Sequence, residues 1–479
     1  MMVAEVRLIL SCRRVLAWSF ILVIATIPAP AAQPPPPSLP TAQVIDTVAC
    51  LSDPAQSYAL YLPSSYTPAK RWPIIYAFDP FARGKIPVKL YRDAAEKYGY
   101  IVAGSNNSRN FAFEESSKGA NAMWADTHQR LSLDERQVYT TGFSGGARIA
   151  GLVALNCTPC KIAGVIAHGA GYPITGTPRP RDSLLYFLAV GDEDFNWPEV
   201  VGIRREREET SQAYRVRVFN GPHQWAPAAV IEDAVEWIRL KAMQAGAEPK
   251  DAAFVDRIFG RVQEEARNAE QRKDAIEQLS AYRSLVSDFG GLKEVAAYQQ
   301  ELQALQKSDE LKTALKKERD AIAEQQSLTA EISGKLAGLA DAASDQRMAI
   351  RQAVVDGMGQ LKGQAEHFKD PTERLIRLRA FNDLWAQGVE AGQTQLVEKH
   401  LANAEAYFHL MADVSPQEPW PVLLLADTHC AMGNKRQAIK DVREAVRRGV
   451  KNPDVFEKDE ALKPLHSEPG YRKILEEMQ

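Results

Sequence analysis

Cysteine is scarce in this chain: five in 479 residues, one of them Cys12 close to the start. That is too few for a disulfide-built scaffold. The CxxC pair in "NCTPCK" (Cys157, Cys160) follows a helical stretch where a redox motif should open one. No second pair exists to complete a zinc site. A local disulfide or two buried thiols is the expectation for that pair, and the pairing among Cys50, Cys157, Cys160 and Cys430 stays open. Net charge is also small: 58 Lys and Arg against 61 Asp and Glu give a formal -3, which supplies no global field for nucleic acid. The longest apolar run, "VLAWSFILVIATIPAPA", stands at the N-terminus and is shorter than the ~20 residues of a bilayer span. Arg7, Arg13 and Arg14 precede it and Ala29-Pro30-Ala31 ends it, the pattern of a secretory signal over residues 1–31. Export to a periplasm or the exterior is therefore expected, with no stable membrane span after cleavage. The prolines of residues 32–42 read as a stiff linker.

Composition is otherwise that of a globular protein, 45% hydrophobic and 25% charged, long enough for two or three domains. Residues 43–243 alternate β-branched runs such as "WPIIYAF", "QVYTTGF" and "LLYFLAV" with stretches of helical spacing. This predicts an α/β fold, a mostly parallel sheet with helices on both faces. The first two strands are expected as an antiparallel hairpin at one edge. Residues 244–252 read as a linker, and beyond them the strand signal stops. Residues 253–370 predict helices, including one long exposed or coiled-coil-like helix over "EVAAYQQELQALQKSDELKTALKKERDAIAEQQ". Residues 371–479 hold a repeat signal: Leu425, Ala426, His429, Gly433, Ala438, Val442 and Ala445 have tetratricopeptide (TPR) spacing, with a degenerate copy around Ala404, Phe408, Met411 and Pro416. His429 is expected as a packed core residue. His367, His400, His409 and His466 have no partners at metal-ligand spacing, so no metal site is assigned.

Chemistry concentrates in "YTTGFSGGARIAGL". A β-branched run, a turn crowded by Gly142, Gly145 and Gly146, and a small-residue helix form the strand, turn and helix of a nucleophile elbow, with Ser144 at its tip. A serine nucleophile needs a histidine base and a carboxylate to orient it. His223, in "VFNGPHQWAP" after the last predicted strand, is the expected base. His168 precedes any suitable acid and reads as structural or as part of the site rim. The loop "GDED" offers Asp192, Glu193 and Asp194, of which Asp194 lies farther along toward the histidine and is the expected acid. Glu193 is expected to point to solvent. In "GSNNSRN" the side chains of Asn106, Asn107 and Arg109 either contact substrate or satisfy a turn. Trp225 is expected to pack beside the histidine loop.

GFSGG, the Gly191 to Asp194 loop and "GPHQW" together resemble the α/β-hydrolase superfamily, specifically the small, capless esterases related to dienelactone hydrolases, feruloyl esterases and polyhydroxybutyrate depolymerases. The resemblance covers less than half the chain. It implies a Ser144, His223, Asp194 triad working through an acyl-enzyme on a small or polymeric ester, without metal or organic cofactor. It also implies an oxyanion hole of two backbone N–H groups, one from Gly145 and one from the loop after the third strand. That loop departs from the family: Asp79-Pro80 stands where His-Gly is common, and Pro80 has no N–H, which leaves Phe81 as the expected donor. Since all of these residues precede position 244, a fragment ending near Ala247 is expected to keep its chemistry. The alternative is a scaffold whose helical repeats bind a protein partner while the hydrolase-like half turns over weakly or not at all.

Overall fold

The computed structural model describes residues 39–157, 160–173, 183–206 and 213–478. The proposed signal segment and most of the proline-rich linker lie outside these residues. Eight strands form one sheet: β1 (Val44–Ala49), β2 (Ser57–Tyr61), β3 (Trp72–Phe78), β4 (Ile101–Ser105), β5 (Leu133–Phe143), β6 (Gly164–His168), β7 (Leu185–Gly191) and β8 (Tyr214–Phe219). Their spatial order is 1-2-4-3-5-6-7-8. The strands from β3 onward pair in parallel, while β1 pairs antiparallel with β2 and β2 with β4. The edge hairpin is therefore present. Central strands buried on both faces explain their near-continuous apolar sequences: Ile74, Ile75, Ala77 and Phe78 of β3 are all fully buried.

Helices α1 (Lys85–Tyr98), α2 (Phe113–Arg130), α3 (Gly145–Asn156), α4 (Trp197–Glu206) and α5 (Ala228–Gln244) cover the sheet. Tyr91 and Val88 of α1 share a core with Ile231, Val235 and Ile238 of α5, against Ile75, Val102, Ile166 and Phe187 of the strands between. The sheet and its helices are consistent with an α/β-hydrolase-like domain.

An all-α region follows: α6 (Ala252–Arg272), α7 (Ala275–Phe289), α8 (Ala296–Lys307), α9 (Asp309–Gly338), α10 (Ser344–His367), α11 (Pro371–Val397), α12 (Leu401–Val414), α13 (Trp420–Ala431) and α14 (Lys435–Arg447). The long helix expected across residues 294–326 is broken at Ser308, whose side chain accepts the Leu311 N–H and caps α9. Capping wins because a serine ahead of Asp309 and Glu310 satisfies an orphan N–H while the acids face the helix N-terminus. Nor is α9 a free rod: Leu336 joins a core with Ala380 and Leu384 of α11 and Phe408 of α12. Helix α13 lies beside α12 and pairs with α14, their small residues Ala426, Ala438 and Ala445 fully buried. His429 is buried there, with Nδ1 2.6 Å from Asp441 and Nε2 3.0 Å from Glu405.

The described residues from Pro40 onward form one compact unit. Leu240 and Met243 of α5 share a core with Phe254, Ile258, Leu285 and Phe289 of α6 and α7. Across the same boundary Asp288 accepts from Arg215 (2.7 Å) and Trp237 Nε1 (3.0 Å), and Lys241 stands 3.2 Å away. The change of periodicity near residue 250 marks a change of architecture along the chain, not a gap in space.

Candidate active site

Ser144 sits between β5 and α3 with φ 53° and ψ -124°. A non-glycine residue there carries backbone strain of about 1–3 kcal/mol, which persists only where the surroundings impose it. They do: Ser144 N–H donates to the His168 carbonyl at 2.8 Å, and the strand and helix on either side pass in near contact. A Cβ at Gly142 would lie 2.2 Å from the Gly146 carbonyl oxygen, and one at Gly146 2.1 Å from that of Phe78. No other residue type fits at these two positions.

His223 lies on the loop between β8 and α5, its ring between those of Phe143 and Phe195, with centroids 4.6 and 4.4 Å away. Its Nε2 is 2.9 Å from Ser144 Oγ, and its Nδ1 is 2.9 Å from both carboxylate oxygens of Asp194. Asp194 is fully buried, and its Oδ1 also accepts the Asn196 N–H at 2.8 Å. Asp192 plays a different part, since its carboxylate accepts the Gly221 N–H at 2.9 Å and fastens the histidine loop to the acid loop. Glu193 is not left to solvent, because Arg374 pairs with it at 3.2 Å.

His168 is buried below the site, its Nε2 2.8 Å from Tyr91 Oη, and its Nδ1 has no hydrogen-bond partner among the described residues. Burial pulls its pKa from the usual 6.5 to about 3. It stays neutral and is not the base. The folded state thus resists a proton that the unfolded chain accepts, so His168's contribution is intact above pH ~6.5 and declines as pH falls toward 3, by up to about 1.4 kcal/mol per pH unit. His168→Gln is expected to lose less stability than wild type between pH 7 and pH 5, read as urea midpoints at both. Equal losses in the two proteins would exclude His168 as the source.

Two further expectations need correction. The Phe81 N–H does not face an open site: it donates to Asp79 Oδ1 at 3.0 Å. Asp79 is fully buried and also takes Arg83 Nε at 2.8 Å and Trp225 Nε1 at 3.2 Å, so its loop is closed on itself. An aspartate that captures an N–H two residues on is a local competitor for the backbone. Trp225 accordingly packs beside the loop. In "GSNNSRN", Asn107 Oδ1 accepts the Ser57 N–H at 2.9 Å, and Asn106 Nδ2 donates to the Asp46 carbonyl at 3.2 Å. Both hold the turn. Arg109 alone of the three reaches the cavity in front of Ser144.

The second correction concerns the cap. A cavity of about 580 Å³ opens at Ser144 and Gly145, and one of its walls is α11, through Asp383, Ala386, Gln387 and Glu390. Phe111, Phe113, Ile149 and Phe195 provide apolar lining. Burial raises the Asp383 pKa, opposed by a hydrogen bond from Gln387. The same helix grips the acid loop: Arg379 Nη1 donates to the Asp192 carbonyl and Asn382 Nδ2 to the Glu193 carbonyl, each at 3.0 Å. Arg379 stacks 4.0 Å above the Trp197 ring, and burial brings its pKa down to about 10. It remains a cation at neutral pH. Nothing in the chain's local patterning pointed to these residues, which lie almost two hundred positions from the loop they hold.

Cys157 and Cys160 are joined in a disulfide, and Cys50 and Cys430 are free and buried. Among the described residues no cluster of three His, Cys, Asp or Glu side chains is placed to hold a metal, and no helix is long and apolar enough to cross a membrane.

No family model matches the chain, and no curated protein does. Among solved structures it is similar to a fluorophosphonate-binding serine hydrolase of Staphylococcus aureus, at 14% identity over 38% of this chain and 92% of that one, TM-score 0.32. An esterase of Pyrobaculum calidifontis is 13% identical over 42% and 86% of the two chains, TM-score 0.32. Est1E of Butyrivibrio proteoclasticus is 12% identical over 40% and 95%, TM-score 0.32. Likeness at this level carries no weight for chemistry.

Proposed function

We propose that the protein is a serine hydrolase acting on carboxylic esters through an acyl-enzyme. The observation that carries the reading is the unbroken line from Ser144 Oγ to His223 Nε2, and from His223 Nδ1 to Asp194, each step 2.9 Å, ending in a fully buried carboxylate. Ser144 attacks the acyl carbon while His223 takes its proton and returns it to the leaving alcohol. Asp194 holds the Nδ1–H tautomer and stabilises the imidazolium. Gly145, at the first position of α3, offers an N–H with no partner inside the helix and serves as one oxyanion donor. A cavity of about 580 Å³ lined by phenylalanines suits a small acyl or aryl group.

Export remains part of this reading, supported by the basic and apolar pattern of residues 1–31. So does the division of the chain at residues 244–252, with α13 and α14 read as one tetratricopeptide-like unit of the C-terminal part. That part offers helix faces to a protein partner.

A fluorophosphonate probe tests the chemistry. Wild type is expected to be labelled at Ser144, located by peptide mass spectrometry, and Ser144→Ala to remain folded and unlabelled. A wild type that takes no label, under conditions that modify a control esterase, would overturn the reading and favour a binding scaffold.

A further inference from the structure

Residues 80–82 of the loop after β3 have no free N–H to give. Pro80 lacks one, Phe81 N–H is donated to Asp79 Oδ1 at 3.0 Å, and Ala82 N–H to the Asp79 carbonyl at 3.2 Å. If Ser144 is the nucleophile, the developing oxyanion is left with Gly145 alone, although loss of one of two donors costs on the order of 10²–10³ in rate. A second donor has to come from elsewhere.

Asn110 is in place for it. It lines the same cavity as Ser144 and Gly145. Its carboxamide lies so close over the elbow that a Cβ built on Gly145 would meet Asn110 Oδ1 at 1.8 Å and Nδ2 at 3.2 Å. Its backbone is tied to the oxyanion loop, through Asn110 N–H to the Pro80 carbonyl at 2.9 Å and a bridge between Phe81 and Arg109. The preceding turn is rigid as well: Ser105 Oγ accepts the N–H groups of Asn107 and Ser108, and Ser116 Oγ accepts that of Arg109. Phe111, next in the chain, is held at φ 62°, a strained conformation of the kind found where a site is organised. Yet the Asn110 side chain makes no hydrogen bond to any described residue, unlike Asn106 and Asn107 beside it.

We propose that the Asn110 carboxamide is the second oxyanion donor, replacing the backbone N–H that the Asp79-Pro80 loop does not supply. The proposal rests on Ser144 being the nucleophile. A half-turn about the Cβ–Cγ bond exchanges oxygen and nitrogen without moving the rest of the side chain. Negative charge building on the substrate oxygen selects the orientation with Nδ2 facing it. Unlike a backbone donor, this one can be removed by mutation.

The test compares wild type with Asn110→Ala and Asn110→Asp on p-nitrophenyl butyrate, with fluorophosphonate labelling rates in parallel. A donor acting on the transition state affects kcat and kcat/KM together. Asn110→Ala is expected to lower both by roughly 10²–10³ with KM little changed. Asn110→Asp keeps the shape but presents a carboxylate to the oxyanion, so its loss should equal or exceed that of the alanine variant. If Asn110 only fills space over Gly145, the near-isosteric aspartate would keep its activity and the proposal falls. It falls equally if the alanine variant is folded and turns over like wild type. A wild type inert to both ester and probe removes the serine hydrolase reading itself, a result that neither variant can mimic.

Discussion

Asp194→Asn is expected to lower ester turnover by up to ~10⁴ while the protein stays folded, because a neutral amide can leave the histidine in the wrong tautomer. The geometry makes this a sharp comparison. Both Asp194 oxygens stand 2.9 Å from His223 Nδ1, whereas among the described residues the Asp192 carboxylate hydrogen-bonds the Gly221 N–H and, at 3.4 Å, the Asn220 amide. An asparagine at 192 can still accept the Gly221 N–H through its own oxygen. Asp192→Asn should therefore be mild, within about tenfold, an effect worth some 1.4 kcal/mol of transition-state stabilisation. Steady-state kinetics of the two variants, with circular dichroism as the check on folding, decide the matter. A severe Asp192 variant beside a mild Asp194 variant would reverse the assignment of the acid and leave Ser144 and His223 as they are.

Cutting the chain near Ala247 is expected to abolish activity, against the modular behaviour that the sequence suggests. The fragment would expose Leu240 and Met243, now buried against α6 and α7. At about 1.5–3 kcal/mol per side chain, these two alone remove a large share of a typical domain stability of about 5–15 kcal/mol. Arg215, Lys241 and Trp237 would lose Asp288, and the carbonyls of Asp192 and Glu193 would lose Arg379 and Asn382. A fragment that did fold would have a loosened acid loop, and a displacement of ~1 Å there costs about 10²-fold in rate. Solubility, thermal melting and the fluorophosphonate labelling rate of the fragment measure each part. A soluble, cooperatively melting fragment labelled at the wild-type rate would show that α11 is dispensable.

What the sequence disclosed follows from how local each feature is. The strands were legible because runs such as "WPIIYAF" are buried on both faces, and the edge hairpin because a short turn joins its strands. Ser144, Asp194 and His223 stood out because each follows the C-terminal end of a strand, where a parallel sheet collects its functional side chains. Phe81 misled, although the signal was present: an aspartate two residues before an N–H is an Asx turn in waiting. Ser308 was likewise a readable helix start, an N-cap residue followed by two acids. Helix α11 was not readable, since its contacts with residues 192 and 193 join distant parts of the chain and leave no periodicity at either end. Asn110 falls between these cases. Its loop was visible in the sequence, but only the fold shows which of its three asparagines makes no side-chain hydrogen bond among the described residues.

The grip of α11 on the acid loop also sets a time at which the site is finished. A chain is made from its N-terminus at roughly 5–20 residues per second, so Ser144, Asp194 and His223 all leave the ribosome well before Arg379 and Asn382. Until that helix arrives, the loop carrying Asp194 lacks the two donors that fix its carbonyls. On the proposed reading, full competence is then a property of the completed polypeptide, and a nascent or prematurely terminated chain carries Ser144, Asp194 and His223 without that support.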